Sequence, residues 1–244
     1  SLSDTITVMR DGRIIETDAV ERMDERRIVS LMVGRDVDDF YPPRTNKPGD
    51  VVFRAKGVTV YNQKFPDKKV VDNVAFDLRS GEILAVYGLV GSGRTEMAMG
   101  MIGAWKGNVE CEVEVKGKAV VSRNPAQALK NGISLLPEDR KREGAIARQS
   151  VGSNISASSL PRFSKFGVIN SLLEKQNNQG MIRSMSIKTP SMDALIETLS
   201  GGNQQKVILS RLISADSPVL ILDEATQGVD VEAKTQIYNI LNNL

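Results

Sequence analysis

The alternation of apolar and polar positions changes character several times along the chain. Residues 5–16, Thr-Ile-Thr-Val-Met-Arg-Asp-Gly-Arg-Ile-Ile-Glu, are two β-rich runs around Asp11-Gly12. An Asp-Gly pair between such runs predicts a hairpin. Asp24 is placed to cap a helix from about Glu25 to Val33, with Ile28, Leu31 and Met32 turned inward and Gly34 as its stop. Tyr41 to Gly49 holds Pro42, Pro43 and Pro48 and reads as an extended, proline-stiffened linker. A boundary is therefore expected at about residue 50.

Beyond it the pattern turns to short strands, Val51–Ala55, Val58–Tyr61 and Val70–Leu78, predicting an antiparallel sheet. Ile83-Leu84-Ala85-Val86-Tyr87 is too short and too β-rich for a helix and predicts a strand, followed after a glycine-rich loop by a helix over Thr95–Ile102. Val109 to Lys116 alternates apolar and charged positions, the mark of a half-buried strand in which Cys111 is a packed small side chain. Pro125–Asn131 reads as a helix and Gly132–Leu136 as a buried strand ending at Pro137. Residues 150–198 are mostly helical and polar, with Val151, Ile155, Leu172, Leu173, Met181, Ile182, Met185, Leu195 and Ile196 as the expected core. A helix over about Asn203–Ala215 carries Ile208, Leu212 and Ala215 on one face. Val219–Leu222 is wholly apolar, as in a parallel sheet covered on both faces, and Val231–Leu244 closes the pattern as a helix.

Composition narrows the picture. The 244 residues are 41% hydrophobic and 25% charged, the make-up of an ordinary globular protein. A formal charge of +2 argues against a dedicated nucleic-acid binder. With a single cysteine there is no disulfide framework, which points to a reducing compartment. The lack of histidine excludes His-based triads and His-ligated metals. No apolar run approaches the roughly 18 residues that span a bilayer, so a membrane is expected to be met through a partner.

Chemistry concentrates in three places. Gly88-Leu-Val-Gly91-Ser92-Gly93-Arg94-Thr95-Glu96 lies between a predicted strand and a predicted helix, the context of a phosphate-binding loop. Glycines there let successive N–H groups turn toward an anion, and the following helix presents its positive end to the same point. Arg94 stands where lysine is usual in such loops, and its wide planar fork cannot occupy a lysine's volume between two phosphates. Thr95 keeps the hydroxyl that touches Mg²⁺. Taken alone, the loop also fits a glycine-rich turn of any α/β fold. Ser200-Gly201-Gly202 opens a helix whose free N–H groups form a second anion site, or are a plain cap. Val219–Leu222 delivers Asp223 and Glu224 at its carboxyl end, where open α/β sheets place ligands, with Asp230 on the next turn. The charge run Glu138–Arg142 reads by itself as a solvated loop.

In this order, the three signals resemble the nucleotide-binding domain of ATP-binding-cassette proteins. Gly-Leu-Val-Gly-Ser-Gly-Arg-Thr-Glu, Pro137-Glu-Asp-Arg-Lys-Arg-Glu-Gly144 and Leu199-Ser-Gly-Gly-Asn-Gln-Gln-Lys206 look like the second cassette of the two-cassette subunits that energise bacterial monosaccharide importers of the xylose, ribose and galactose type. Gly103-Ala-Trp-Lys-Gly107 is similar to the xylose branch. The resemblance covers about residues 50–244. Residues 1–49 look like the C-terminal hairpin and helix of a preceding cassette plus its linker, so the chain is expected to be an internal piece of a longer subunit, short of its last strands.

The fold the resemblance implies is an α/β P-loop cassette. It has a mixed parallel sheet core, an antiparallel β subdomain and a helical subdomain at about 145–198. The cofactors implied are ATP and Mg²⁺. Gly88, Gly91, Ser92, Gly93, Arg94, Thr95 and Glu96 would form or flank the phosphate loop, with Thr95 and Asp223 on Mg²⁺. Glu224 would act as general base and Glu138 would stand at the Mg²⁺-sensing position usually held by glutamine. Ser200, Gly201, Gly202 and Gln204 would cap a nucleotide on the opposite cassette, and Tyr61 would stack on adenine, unless it only packs. The implied partners are the first cassette, a second copy of the subunit, membrane permease subunits and, indirectly, a periplasmic sugar-binding protein; no nucleic acid is expected. The place implied is the cytoplasmic face of the bacterial inner membrane.

Arg94 departs from the family's lysine, Glu138 departs from its glutamine, and the family's switch histidine is expected beyond Leu244 or in the upstream cassette. This half is therefore expected to bind ATP but hydrolyse it weakly or not at all, and the fragment alone to turn over little. Its signature would serve the partner's site. Two rivals stand beside this reading. One is a non-hydrolytic regulatory nucleotide-binding module. The other is a DNA-repair-type cassette ATPase, which usually carries coiled coils or zinc modules that this sequence lacks.

Overall fold

Asp11 and Gly12 take left-handed backbone, φ 51° and 76°, the angles a two-residue hairpin turn demands. They join β1 (Thr5–Arg10) to β2 (Arg13–Ala19) in antiparallel pairing. α1 (Glu25–Val33) follows, capped by the Asp24 carboxylate accepting from Arg27 N–H at 2.7 Å and stopped by left-handed Gly34. Its half-buried side includes Ile28 and Leu31, whereas Met32, expected inward, lies at the edge of that face and is exposed. The computed structural model describes residues 3–34, 46–229 and 231–244. Tyr41–Thr45 of the expected linker and Asp230 lie outside the described residues. Two compact units emerge, one from the described parts of Ser1–Thr45 and Val229–Leu244, the other from Asn46–Gly228.

In the larger unit, the two short strands expected over residues 51–61 are one, β3 (Val51–Tyr61). The chain bends at Gly57, whose φ of 60° is coupled to a register shift between Ala55 and Val58, as a bulge does. β3 pairs antiparallel with β4 (Lys69–Arg79), the start of a four-stranded sheet of order β4-β3-β5-β6. α2 (Arg94–Met101) precedes β5 (Val109–Val115) and β6 (Lys118–Val120) in the chain. Alternation along β3 sends Phe53, Ala55, Val58 and Val60 into a core completed by Met97 and Met101 of α2. Each large side chain so buried contributes about 1.5–3 kcal/mol. On β5 only Val113 and Val115 are buried. Cys111, expected to be packed, is exposed; it stands where the pairing of β5 with β3 shifts register between Lys56 and Thr59. Its thiol is nevertheless pushed up by partial desolvation, so it is not activated as a thiolate.

α3 (Pro125–Lys130) begins with Pro125, Asn124 accepting from Gln127 N–H as its cap, and leads into β7 (Ile133–Leu136). The helical layer then takes α4 (Val151–Ser156), α5 (Leu160–Phe163), the small hairpin β8 (Ser164–Lys165) and β9 (Val168–Ile169), α6 (Ser171–Ser184) and α7 (Gly201–Ser214). α7 packs on α4, α6 and β7, so it links the layer to the sheet. Val151, Ile155, Met185 and Ile196 are buried there as expected, and Met181 and Ile182 half-buried. Leu172, Leu173 and Leu195 are exposed instead. The first turn of α6 follows the β8–β9 hairpin at the surface, and the helix turns Asn178 inward, where its amide donates to Gly152 O at 3.0 Å.

β10 (Val219–Leu222) runs parallel to β7, Val219 opposite Ile133 and Leu222 opposite Leu136. Val219 is buried, but the rest of β10 is half-buried rather than covered on both faces, because these two strands form a sheet of their own. α8 (Val231–Asn242) ends the described chain. Among the described residues no helix is long and apolar enough to cross a membrane.

Candidate functional site

The apolar run expected to deliver the phosphate loop is not a strand. Residues 82–89 take no regular structure, and Tyr87 is 92% exposed with Leu89 and Val90 beside it in water. A strand exists only through hydrogen bonds to a neighbour. Here β7 and β10 pair with each other, and no described strand pairs with residues 83–87. The loop that follows has the expected glycine geometry. Gly91 and Gly93 sit at φ 81° and 92°, and a Cβ on Gly93 would lie 2.5 Å from Val70 O. A Cβ on Gly88 would collide with the Ser92 hydroxyl. α2 starts at Arg94, so the positive end of its dipole lies at the loop's exit, and Glu96 sits half-buried in its first turn.

The acidic pair arrives from the other side. Asp223 N–H donates to Leu136 O at 2.9 Å, carrying the parallel ladder one step past β10. This anchors the Asp223 side chain over Thr95, whose hydroxyl donates to Asp223 Oδ2 at 2.6 Å. The same hydroxyl lies 3.3 Å from Glu138 Oε2, two residues past the end of β7. Glu224 takes left-handed backbone, φ 48°, a costly conformation for a residue with a side chain. Its Oε1 lies 3.9 Å from Arg94 Nη2. Thus Arg94, Thr95, Glu138, Asp223 and Glu224, drawn from three separate stretches, meet at one point.

Hard oxygen donors at that point suit Mg²⁺, which is normally held by one or two carboxylates and a hydroxyl plus the ligand's own phosphates. Among the described residues no cluster of three or more acidic or sulfur side chains forms an all-protein metal cage. A cation here would need phosphate oxygens to complete its shell.

The glycine-led start of α7 is a separate feature. Ser200 is the N-cap, and its Oγ accepts from Asn203 Nδ2 at 2.9 Å. Gln204 turns back, its Nε2 donating to Leu199 O at 2.9 Å. Gly202 is buried. The group that meets Gly201 is Arg140, whose Nη2 would lie 2.7 Å from a Cβ placed there. Arg140 opens the single π-helical turn Arg140–Gly144, so the charge run is structured at its centre. Tyr61 lies at the end of β3 opposite Lys69, one residue from the Val70 carbonyl that crowds Gly93. Burial and a hydrogen bond to Glu110 Oε1 at 3.2 Å push its phenol above the ordinary range.

Sequence reasoning missed Arg140, hidden among like charges, and it missed Arg211 with Asn154. Arg211 donates to Asn154 O at 2.8 Å, Asn154 Oδ1 at 2.6 Å and Gly144 O at 2.6 Å. Burial pulls its guanidinium below the ordinary value. No pattern joins residues that far apart along the chain.

A family model described as ABC transporter matches residues 71–227. The xylose import ATP-binding protein XylG of Thermoanaerobacter pseudethanolicus is 44% identical over 243 residues, covering 100% of this chain and 48% of its own length. The protein of the same name from Pseudomonas fluorescens is 43% identical over 244 residues, 100% of this chain and 47% of its own. The chain spans about half the length of the curated relatives it matches. A nucleotide-free ATP-binding cassette from an ABC transporter superposes with a TM-score of 0.65 at 17% identity, covering 79% of this chain and 76% of its own. The ADP- and phosphate-bound dimeric cassette MJ0796 gives 0.63 at 18%, covering 78% and 81%. The fold is that of a cassette.

Proposed function

The chain belongs to the ABC transporter family, and from that premise we propose that it is a nucleotide-binding unit of a sugar importer, the second of two cassettes in a longer subunit. The relatives named as xylose import proteins, each about twice this length, support xylose or a related monosaccharide as the cargo. Mg-ATP is bound with its phosphates over Gly88–Thr95. Thr95 and Asp223 hold the metal, and Glu138 stands beside them. When bound, the metal supplies charge neutralisation at the phosphates. Glu224 orients and deprotonates the attacking water, Glu96 flanks the loop, and Tyr61 stacks on the base. Ser200, Gly201, Gly202 and Gln204 complete a nucleotide site on the partner cassette. In this reading the subunit works with permease subunits at the cytoplasmic face of the inner membrane, and a periplasmic sugar-binding protein supplies the cargo.

The observation that carries the proposal is the 2.6 Å bond between Thr95 and Asp223, which joins loop and acidic pair as a bound metal would require. The ion pair of Arg94 with Glu224 favours weak hydrolysis at this site. The cation that should face phosphate also holds the group meant to activate water. It equally favours a second reading, a regulatory module that binds nucleotide and never hydrolyses it. Titration of the full-length protein with a fluorescent ATP analogue, with and without Mg²⁺, tests the first claim, and Mg²⁺-dependent binding is expected. Substitution of Ser200 separates the readings, because a purely regulatory module leaves turnover elsewhere in the assembly intact.

A further inference from the structure

Arg140 sits in a notch between two glycines from different elements. Its Nη1 donates to Gln227 O at 3.2 Å, and its Nη2 would lie 2.7 Å from a Cβ on Gly201 and 3.7 Å from one on Gly228. The notch therefore joins the first residue of α7 to the turn that follows Asp223 and Glu224. That turn is closed by Gln227 N–H donating to Glu224 O at 2.9 Å, so the carbonyl held by Arg140 belongs to the same turn that keeps Glu224 at its strained φ of 48°. The backbone of Arg140 is fixed independently. Its carbonyl accepts from Ala145 N–H at 2.6 Å across the π-helical turn, and Gly144 O at the turn's end accepts from Arg211 Nη1 at 2.6 Å. Single π turns recur where a side chain must be aimed. Two residues upstream, Glu138 lies against Thr95.

We infer that Arg140 is a positioning residue that fixes the distance between the start of α7 and the Glu224–Gly228 turn. The inference rests on the nucleotide-binding reading above and extends it to a residue that reading does not use. A fork is suited to the task because one nitrogen can hold a carbonyl while the other lies flat against a glycine. A Cβ on Gly201 would displace the guanidinium from its present place. Arg140 touches neither Thr95 nor Asp223, so it acts on catalysis through the turn and the helix start, not on the metal or the phosphates of its own loop.

The test uses the full-length protein, with steady-state phosphate release from Mg-ATP and binding of a fluorescent ATP analogue as separate readouts. Arg140→Met keeps the apolar stem but removes the donors. Because the Gly201 start of α7 serves the partner cassette's site in the nucleotide-binding reading, this substitution is expected to lower kcat of the full-length protein about tenfold, the size of one lost charged hydrogen bond, with KM and analogue affinity within about twofold. Arg140→Lys restores one donor to Gln227 O and is expected to stay within about threefold of the parent. Parental kcat in Arg140→Met, a loss confined to KM, or a lysine variant as poor as the methionine one would overturn the inference. If the unsubstituted protein bound no analogue, the nucleotide-binding reading itself would fail, and the inference with it. That is distinct from a protein that binds normally and is indifferent to residue 140.

Discussion

Thr95 and Asp223, 128 residues apart in sequence, share a hydrogen bond of 2.6 Å. If this pair is the protein's half of a Mg²⁺ shell, removing either oxygen weakens Mg-nucleotide and spares metal-free nucleotide. Thr95→Ala or Asp223→Asn is expected to raise the Kd for a Mg-ATP analogue about tenfold or more, the equivalent of roughly 1.4 kcal/mol. The Kd measured in EDTA should move by less than about threefold, around 0.7 kcal/mol. Equal losses with and without Mg²⁺, in fluorescence titration, would place the pair outside the metal's shell.

Arg94 spans to Glu224 at 3.9 Å. A lysine is a single point charge with no second nitrogen to share between phosphate and carboxylate, so Arg94→Lys should free Glu224. Single-turnover hydrolysis at this site is expected to rise by up to about fivefold, as releasing a partly exposed ion pair of at most about 1 kcal/mol allows. Adding Glu224→Gln should remove that gain. An Arg94→Lys protein no faster than its parent would show that something other than this contact limits the site.

Arg211 supplies donors to Gly144 O and to both oxygens of Asn154 from within α7. Arg211→Met fills much of the volume but removes the donors to buried Gly144 O and Asn154 O, leaving Asn154 Oδ1 to the Ile146 N–H alone. A loss of about 2–4 kcal/mol is expected from urea denaturation, because each unsatisfied buried group costs about 1–3 kcal/mol. Ile155→Ala next to it in the helical layer, where Ile155 is fully buried, should cost about 2–5 kcal/mol by leaving a cavity.

Asp18 is held at about pH 2, below its ordinary 3.8, by the hydrogen bond from Arg22 first and the Ala19 N–H second. A lowered carboxylate pKa stabilises the folded state above the unfolded value, and that contribution disappears as pH falls through the folded value. The melting temperature of the parent relative to Asp18→Asn should therefore be flat above about pH 4 and converge between about pH 4 and 2. A difference that persisted at pH 2 would mean Asp18 acts through packing rather than charge.

What could be read from the chain was whatever a few neighbouring residues decide. The Asp11-Gly12 turn, the Asp24 and Gly34 caps and the two apolar strands at 133–136 and 219–222 are local statements, and each stands where its pattern placed it. Two stretches that meet at the candidate site were likewise visible, since a glycine loop and an acidic strand end each carry their chemistry in a short run. What could not be read depends on partners distant in sequence. Ile83–Tyr87 has the composition of a strand and no strand to join. Cys111 alternates correctly but falls opposite the register shift between Lys56 and Thr59 on the neighbouring strand. Leu172 and Leu173 have the spacing of a buried face on a helix that turns Asn178 inward instead. Arg140 was legible only as charge, because its two glycine neighbours come from opposite sides of the 219–222 strand.

The open stretch before the glycine loop also governs how the protein behaves in concentrated solution. Ile-Leu-Ala-Val-Tyr is uncharged, free of proline, rich in β-formers and bare to water, which is the recipe for recruiting identical segments from other molecules into cross-β pairing. Precipitation of the isolated chain should therefore begin at residues 83–87, and a gatekeeper charge such as Tyr87→Lys should delay it.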